Sequence, residues 1–282
     1  MKKQSLATSL LRSPLALLLF LGFILLFTSQ SFAQDLDVPY VPTPQNVVER
    51  MLDLAEVESS DYVIDLGSGD GRIVIAAASR GANGHGIDLD PERIAEAREN
   101  ASKQGVDDRI MFMEEDIFDT EFSEASVITM YLLPSVNKKL RPKLLNDLQP
   151  GTEVVSHSFD MGSWQADKEV VVKKDGRSHD IYYWIIPAKA EGNWNWSFND
   201  KQFTLTVNQR FQEISAKLTD GSNSFFDIHK TELKGKRITI RASNGDQNFI
   251  FSGRIEGDQI YGVMQHHSGE EKKFYQWSAS RK

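Results

Sequence analysis

The sequence predicts two folded parts, an α/β domain built on a mostly parallel sheet and an all-β domain behind it. From residue 62 to 156, segments of strand character alternate with segments of helical periodicity, as in a doubly wound parallel sheet. From residue 194 to 277, short strand-like segments are separated only by turn residues, which indicates a small all-β barrel or sandwich. A stretch rich in Pro, Ala and Gly at 187–192 is the predicted linker.

The elements of the α/β part follow in order. Three prolines in 38–44 exclude a helix before Pro44, so Thr43 is the predicted N-cap and Pro44 the first helical residue. The predicted strands are 62–66, 86–89, 110–113, 125–131 and 153–156, and the helices between them are 72–80, 92–104 and 136–148. Two further strands, 169–173 and 180–186, flank a turn with no helix between them, so we expect an antiparallel hairpin.

Residues 1–33 have the pattern of a secretory signal peptide. Lys2, Lys3 and Arg12 precede an apolar run at 15–27, and small residues stand before a cleavage site at Ala33. The run is short for a membrane span. We therefore expect export to the periplasm or the medium, with 34–188 and 189–282 as the two mature domains; the alternative is an uncleaved N-terminal membrane anchor.

The charge of the two mature domains differs. The whole chain has a net charge of −8, and without the first 33 residues 29 basic and 40 acidic residues remain. Residues 34–190 carry 16 basic and 29 acidic side chains, whereas 191–282 carry 13 and 11. Such an acidic α/β domain repels phosphates, so we predict no nucleic-acid partner. The chain has no Cys, which excludes disulfides, thiolate metal sites and Cys nucleophiles.

A glycine-rich turn, VIDLGSGDGR at 63–72, follows the first strand. Glycines at 67, 69 and 71 let the backbone bend sharply and approach a ligand closely. A dinucleotide fingerprint would need Gly at position 72, which is Arg72, and Asp65 precedes the first glycine. An acidic residue there suits a ligand with an ammonium group and no pyrophosphate. The turn therefore favours S-adenosylmethionine over NAD.

Three other features agree with that cofactor. Asp88 ends the second strand, where its carboxylate can accept hydrogen bonds from both ribose hydroxyls. Asp116 and the Ile117 backbone N–H after the third strand suit the adenine amino group and a ring nitrogen, although Asp116 could also be an ordinary surface acid. The end of the fourth strand, residues 130–134, should lie beside the methyl group, since ligands bind beyond the carboxyl ends of parallel strands. Asp90 is the predicted N-cap of the next helix.

Four segments together resemble a known family. They are PYVPTP at 39–44, DLGSGDGR at 65–72, YLLPSV at 131–136, and VVSHSF at 154–159 with Trp164. They are similar to the lysine methyltransferases that include the mitochondrial ATP-synthase c-subunit methyltransferase, and the resemblance covers roughly 39–165. It implies a Rossmann-like seven-stranded methyltransferase sheet, closed by the antiparallel hairpin, and N-methylation of a protein lysine.

The resemblance and the glycine turn together give the candidate site residues. The cofactor-binding candidates are Tyr40, Thr43, Asp65, Gly67, Ser68, Gly69, Gly71, Asp88, Asp116 and Ile117. Tyr131, Leu133 and Pro134 are the candidates beside the methyl acceptor, and no metal site is predicted.

Some alternatives stay open at this point. The enzyme could methylate a small molecule, with the β domain as a lid or docking module, or the chain could be a non-catalytic adenosylmethionine-binding envelope protein. Methylation of an exocyclic base amine is disfavoured, because Leu132 and Leu133 replace the polar, proline-containing turn of such enzymes. His157 could touch substrate, shuttle a proton, or be an ordinary loop residue. The tryptophans at 194, 196 and 277 are expected in the core of the β domain.

Overall fold

A computed structural model describes residues 40–222 and 224–282. The predicted signal peptide at 1–33 lies outside the described residues. Within these two ranges, no helix has the length and apolar character needed to cross a membrane.

The first sheet has seven strands, in the order β3-β2-β1-β4-β5-β7-β6. The strands are β1 (Tyr62–Leu66), β2 (Asn83–Asp88), β3 (Ile110–Glu114), β4 (Val127–Met130), β5 (Glu153–His157), β6 (Lys168–Lys174) and β7 (Arg177–Ile185). The first five are parallel, and β7 pairs antiparallel with β5 and with β6. This arrangement confirms the predicted parallel sheet with a closing hairpin.

In the part of the chain that the structure describes, four helices connect and cover the sheet. They are α1 (Gln45–Leu54), α2 (Arg72–Ser79), α3 (Pro91–Gln104) and α4 (Pro134–Asp147). Asp90 caps α3 as predicted, because its Oδ1 accepts from the N–H of Glu92 at 2.8 Å. The predicted capping of α1 by Thr43 is wrong: Pro44 holds the cap position, and the Thr43 hydroxyl bonds elsewhere.

Alternate residues of each central strand enter two different cores. Val63, Val127 and Val155 share one face of the sheet with the apolar side of α1. Ile64, Ile128 and Val154, on the opposite face, enter a cluster that includes Leu140 and Leu144 of α4. Because both faces are covered, each of these strands has apolar residues on both faces, as is typical of parallel sheets. The packing on both faces fixes the positions of the strands, and with them the edge that their carboxyl ends form.

The C-terminal domain is a closed eight-stranded antiparallel barrel. Its strands are β8 (Gly192–Phe198), β9 (Lys201–Arg210), β10 (Glu213–Asp220), β11 (Phe225–Lys234), β12 (Arg237–Asn244), β13 (Gln247–Glu256), β14 (Gln259–Ser268) and β15 (Glu271–Arg281). The three predicted core tryptophans, Trp194, Trp196 and Trp277, are buried in it. The barrel alternative is therefore correct. The strands predicted from the sequence here are 194–198, 203–207, 214–218, 237–242, 249–255, 260–264 and 274–277, so β11 was not among them.

The irregular pattern of β11 explains why it escaped prediction. Its pairing with β12 shifts register between Ile228 and Lys230, so a bulge interrupts the alternation of inward and outward residues. Only Leu233 of this strand is fully buried. A period of two is the main sequence signal for a half-buried strand, and in β11 this period changes phase at the bulge.

Candidate functional site

The glycine turn between β1 and α2 brings three segments together. Gly67, Gly69 and Gly71 all have positive φ angles, of 74°, 52° and 80°. A Cβ atom on Gly69 would lie 2.5 Å from the ring of Tyr40, and one on Gly67 would lie 2.7 Å from Leu132. The bare backbone therefore allows the N-terminal segment and the segment after β4 to meet over the turn. The N–H groups of Gly67 and Ser68 both bond to the carbonyl of Ile87 in β2.

Asp65 lies beneath this turn at the end of β1. Its side chain is buried, and its Oδ1 accepts a 2.7 Å hydrogen bond from the Thr129 hydroxyl of β4. The other oxygen, Oδ2, is buried with no partner among the described residues. Burial raises the pKa of Asp65 to about 7, and the nearby carboxylates of Asp88 and Asp70 add to this against the Thr129 hydrogen bond. An unpaired buried carboxylate oxygen is costly unless a cation occupies the site.

Asp88 faces the same turn from β2 and is half-buried. Its Oδ2 accepts from the N–H of Gly69 at 2.8 Å, and its Oδ1 accepts from the N–H of Asp90 at 3.0 Å. Each carboxylate oxygen has a second lone pair, so both can still accept from a diol. The two backbone bonds fix the orientation of the carboxylate in advance.

Residues 40–44 cross the turn as a strap. The Arg93 guanidinium lies 4.9 Å from the centre of the Tyr40 ring, which itself covers Gly69. Arg72 Nη1 donates to the Thr43 carbonyl at 2.8 Å, and its guanidinium also pairs with Asp70. The strap is thus tied to the start of α2 and to α3.

Asp116 and Ile117 follow β3, next to β2 in the sheet order. Both are half-buried, and Asp116 Oδ1 accepts from the N–H of Phe118 at 2.8 Å. This turn holds the Asp116 carboxylate at the carboxyl end of β3. Its second oxygen remains available for a ligand.

The acceptor candidates lie at the carboxyl end of β4. The Tyr131 ring is 4.0 Å from that of His157 and 6.2 Å from that of Phe159, centre to centre. Leu133 is the N-cap residue of α4 and Pro134 its first residue, two positions earlier than the predicted start at Val136. Pro is well accommodated there because the first helical N–H has no partner within the helix. Leu132 lies against the glycine turn, so the predicted segment 131–134 borders that turn.

His157 is the last residue of β5 and is fully buried. Its Nδ1 is 3.0 Å from the Thr43 hydroxyl, and its Nε2 is 2.9 Å from Nδ1 of His179 in β7. Burial, and secondarily His179, lowers the pKa of His157 to about 4, so the ring is neutral at physiological pH. His157 is not an ordinary loop residue; it links the strap, Tyr131 and the closing hairpin.

Thr129 and His179 were not among the residues predicted from the sequence. Thr129 lies inside an apolar strand, and its partnership with Asp65 depends on the parallel pairing of β1 with β4. His179 meets His157 only because of the antiparallel register of β5 and β7. Neither register can be obtained from local sequence.

The site fits S-adenosylmethionine. The buried, unpaired oxygen of Asp65 suits the ammonium of its amino-acid end, and Asp88 suits the ribose hydroxyls. The carboxylates of Asp65, Asp70 and Asp88 stand together around the turn and would repel a pyrophosphate. The structure thus brings the predicted cofactor residues to one edge of the sheet, with the acceptor candidates next to them.

Comparisons with known proteins agree with this geometry. Residues 65–168 match the model of the ANTKMT methyltransferase domain. A protein-lysine N-methyltransferase of Saccharolobus islandicus is 47% identical over 152 residues, which cover 53% of this chain and 94% of that protein. The ATP-synthase c-subunit lysine N-methyltransferase of Xenopus laevis is 33% identical, over 48% of this chain and 59% of that protein. The match therefore spans a little over half of the Xenopus protein's length.

A solved structure is similar over the same share of the chain. It is a Salinibacter ruber protein, described as an RNA methyltransferase in complex with S-adenosyl-L-homocysteine. It is 53% identical and covers 53% of this chain and 95% of its own, with a TM-score of 0.50. With its carboxylates and glycine turn in place, the chain belongs to the family of S-adenosylmethionine-dependent methyltransferases that includes these protein-lysine N-methyltransferases.

Proposed function

We propose that this enzyme methylates the side-chain amine of lysine in a protein, and that it does so outside the cytoplasm. The names of the relatives that match it over about half of this chain support a lysine acceptor. The Salinibacter protein is described as an RNA methyltransferase, so the names of similar proteins alone do not decide between a lysine and an RNA acceptor. The chemistry of the surface on the acceptor side is the evidence that separates these two substrate classes.

The charge around the acceptor side is the observation that carries the proposal. Phe159 stacks beside Tyr131, and the next residue, Asp160, is exposed. Burial contributes most to the raised pKa of the Tyr182 phenol in β7. The carboxylates of Asp180, Glu169 and Asp160 lie close enough to that phenol to raise its pKa further. These exposed carboxylates favour a cationic side chain such as lysine and repel a phosphate backbone.

The protein residues do three things for the reaction. Bound adenosylmethionine supplies a methyl group that is already activated on a sulfonium. Asp65, Asp88 and the glycine turn hold the donor, and the strap with Tyr40 limits the access of water to the turn. The apolar and aromatic side formed by Tyr131, Leu133 and Phe159 desolvates an incoming ammonium, which lowers its pKa and promotes loss of its proton. The ammonium would release its proton to solvent on entering, and residues 131–134 would then position the neutral amine as the nucleophile toward the methyl group that bound adenosylmethionine supplies.

The substrate class is tested by transfer of radiolabelled methyl groups from adenosylmethionine. The mature protein is incubated in parallel with a cell-envelope protein extract, total RNA and a small-molecule extract, with Asp65→Asn as the control for impaired cofactor binding. We expect label in protein, resolved by mass spectrometry as methylated lysine. Label in RNA or only in small molecules would refute the lysine proposal.

The location is supported by the signal-like residues before the predicted cleavage site at Ala33. Fusion of residues 1–60 to alkaline phosphatase, which folds actively only outside the cytoplasm, is a direct test. We expect activity with the natural leader and none after Leu18→Arg and Leu19→Arg interrupt its apolar run. If the fusion with the natural leader is inactive, export is refuted. If the fusion is active but osmotic shock does not release it from the cells, the alternative of an uncleaved membrane anchor is indicated.

A further inference from the structure

Most hairpins of the barrel share a two-residue turn whose first residue has a positive φ. Four of these turns, between β11 and β15, have glycine at that position with φ between 54° and 61°: Gly235, Gly245, Gly257 and Gly269. The turn between β8 and β9 differs, because both of its residues, Asn199 and Asp200, have positive φ, and both residue types tolerate a positive φ. The turn between β9 and β10 has Phe211, with φ of 56°. A bulky aromatic residue is strained there, which suggests that its ring has a use.

The ring of Phe211 packs against the methyltransferase domain. It stacks on Trp164 with 5.9 Å between ring centres and 26° between planes, and the Arg141 guanidinium lies 5.4 Å from its centre. The adjacent Gln212 accepts from Trp164 Nε1 at 2.8 Å and donates to the Gln165 carbonyl at 2.8 Å. The tip of this hairpin therefore holds both the side chain and the backbone of the β5–β6 loop, residues 158–167.

The same loop reaches the acceptor side of the site. Arg141 also donates to the Met161 carbonyl at 2.7 Å, in the middle of the loop. At its start, the Phe159 carbonyl accepts from Asn137 Nδ2 at 3.1 Å and from the Ser156 hydroxyl at 2.7 Å. The Phe159 ring in turn stacks beside Tyr131. Contacts therefore continue from the barrel hairpin through the loop to the predicted acceptor residues.

We infer that Phe211 and Gln212 are positioning residues, through which the barrel orders the β5–β6 loop and with it the acceptor side. The inference rests on the proposed acceptor site beside Tyr131. It gives the barrel a role in the binding of the acceptor and none in the binding of the cofactor, whose residues lie on other loops. The match covers 94% of the Saccharolobus relative but only 53% of this chain. The unmatched 6% of that relative is too short to hold a domain of the size of this barrel. Support of the loop by a barrel is therefore an addition to the shared catalytic domain.

The test replaces the ring but keeps the turn. Asn tolerates a positive φ, so Phe211→Asn preserves the hairpin and removes the stack on Trp164. Gly257→Asn is the matched control, because it introduces the same residue at an equivalent turn where an added Cβ meets nothing within 4 Å. Phe211→Tyr keeps the ring and should behave as wild type.

Two measurements decide the outcome. Amide hydrogen exchange of the mature protein should rise by about tenfold in peptides covering 158–167 in Phe211→Asn, with no change at 65–72. With the cell-envelope extract as the titrated acceptor, its apparent KM should rise about fivefold, whereas the cofactor Kd stays within about twofold.

Unchanged exchange in the loop, or faster exchange with an unchanged apparent KM, would overturn the inference. A similar effect in Gly257→Asn would overturn it as well. If the wild-type enzyme labels no protein in the extract, the proposed lysine substrate fails. The exchange measurement then decides separately whether the hairpin orders the loop.

Discussion

Replacement of Asp65 by Asn should make the ligand-free protein more stable and its cofactor binding weaker. The carboxylate is buried with one unpaired oxygen, and its pKa is raised from 3.8 to about 7. A carboxyl group with a raised folded-state pKa binds its proton more tightly in the folded protein than in the unfolded chain. Its contribution to stability is therefore lost as the pH rises from about 4 through 7.

The size of the effect follows from that shift. A change of about three pKa units corresponds to about 4 kcal/mol, as an upper value, in the free energy of unfolding above pH 7. The neutral amide of Asn avoids this penalty and can still accept from Thr129. The melting temperature of Asp65→Asn should thus exceed that of wild type by up to about 8–16 °C at pH 8, and the difference should vanish near pH 4.

Cofactor binding should change in the opposite direction. Loss of a charged hydrogen bond to the cofactor ammonium costs about 1.5–3 kcal/mol, or roughly ten- to 150-fold in Kd. Wild-type affinity should also increase with pH up to about 7, since the ammonium needs the ionised carboxylate, and the variant should lack this dependence.

Thermal melts from pH 4 to 8 and titration calorimetry in two buffers measure both effects. Asp108→Asn, at an exposed position, controls for the loss of one charge. A stability gain that does not grow with pH, or an unchanged Kd in Asp65→Asn, would refute this account of the site.

Three other substitutions test neighbouring features. Gly69→Ala should lose at least about 1 kcal/mol of stability and most of its cofactor affinity, because the added methyl meets the Tyr40 ring at positive φ; normal melting and calorimetry would contradict this. Between pH 7 and 5, the free energy of unfolding of wild type should fall by about 2 kcal/mol more than that of His157→Asn. The reason is that folded wild-type His157 has a pKa of about 4, so its proton is taken up first in the unfolded chain. Parallel pH–stability curves for the two proteins would exclude that cause. Thr129→Val should remove the donor to Asp65 and shift the pH at which cofactor binding becomes tight to a higher value, as followed by calorimetry at several pH values.

Much of the fold was predictable because its signals are local. The central strands are short apolar runs between turn residues, and the glycine turn stands between a strand and a helix. Asp65 and Asp88 each lie near the end of a parallel strand, so the topology alone predicts that they meet at one edge. The N-cap at Asp90 could also be predicted from the sequence, because Asp90 stands directly before Pro91, the first residue of the helix.

The remaining features depend on distant parts of the chain. Thr43 has the residue type of an N-cap, but its hydroxyl bonds to His157, 114 positions away. The His157–His179 pair needs the register of an antiparallel pairing. Similarly, Phe211 is an ordinary residue in the sequence, and its strain is visible only from its φ angle. Tertiary contacts override local preference at these positions.

Closure of the barrel also bears on self-association. Each of its strands has two hydrogen-bonded neighbours, so no barrel strand is open along its whole length. The pairing of β10 with β11 and that of β15 with β8 each involve only two residue pairs, so short stretches of ladder stay open at these two seams. In the described structure β3 and β6, at the two ends of the seven-stranded sheet, each have one edge without a neighbouring strand. The sequence of β6, KEVVVKK, has lysines at both ends, which discourage edge-to-edge aggregation. β3 presents Met111 to solvent beside Arg109, and β6 presents Val171 to a similar extent, so a charged substitution at either position should reduce edge-to-edge pairing.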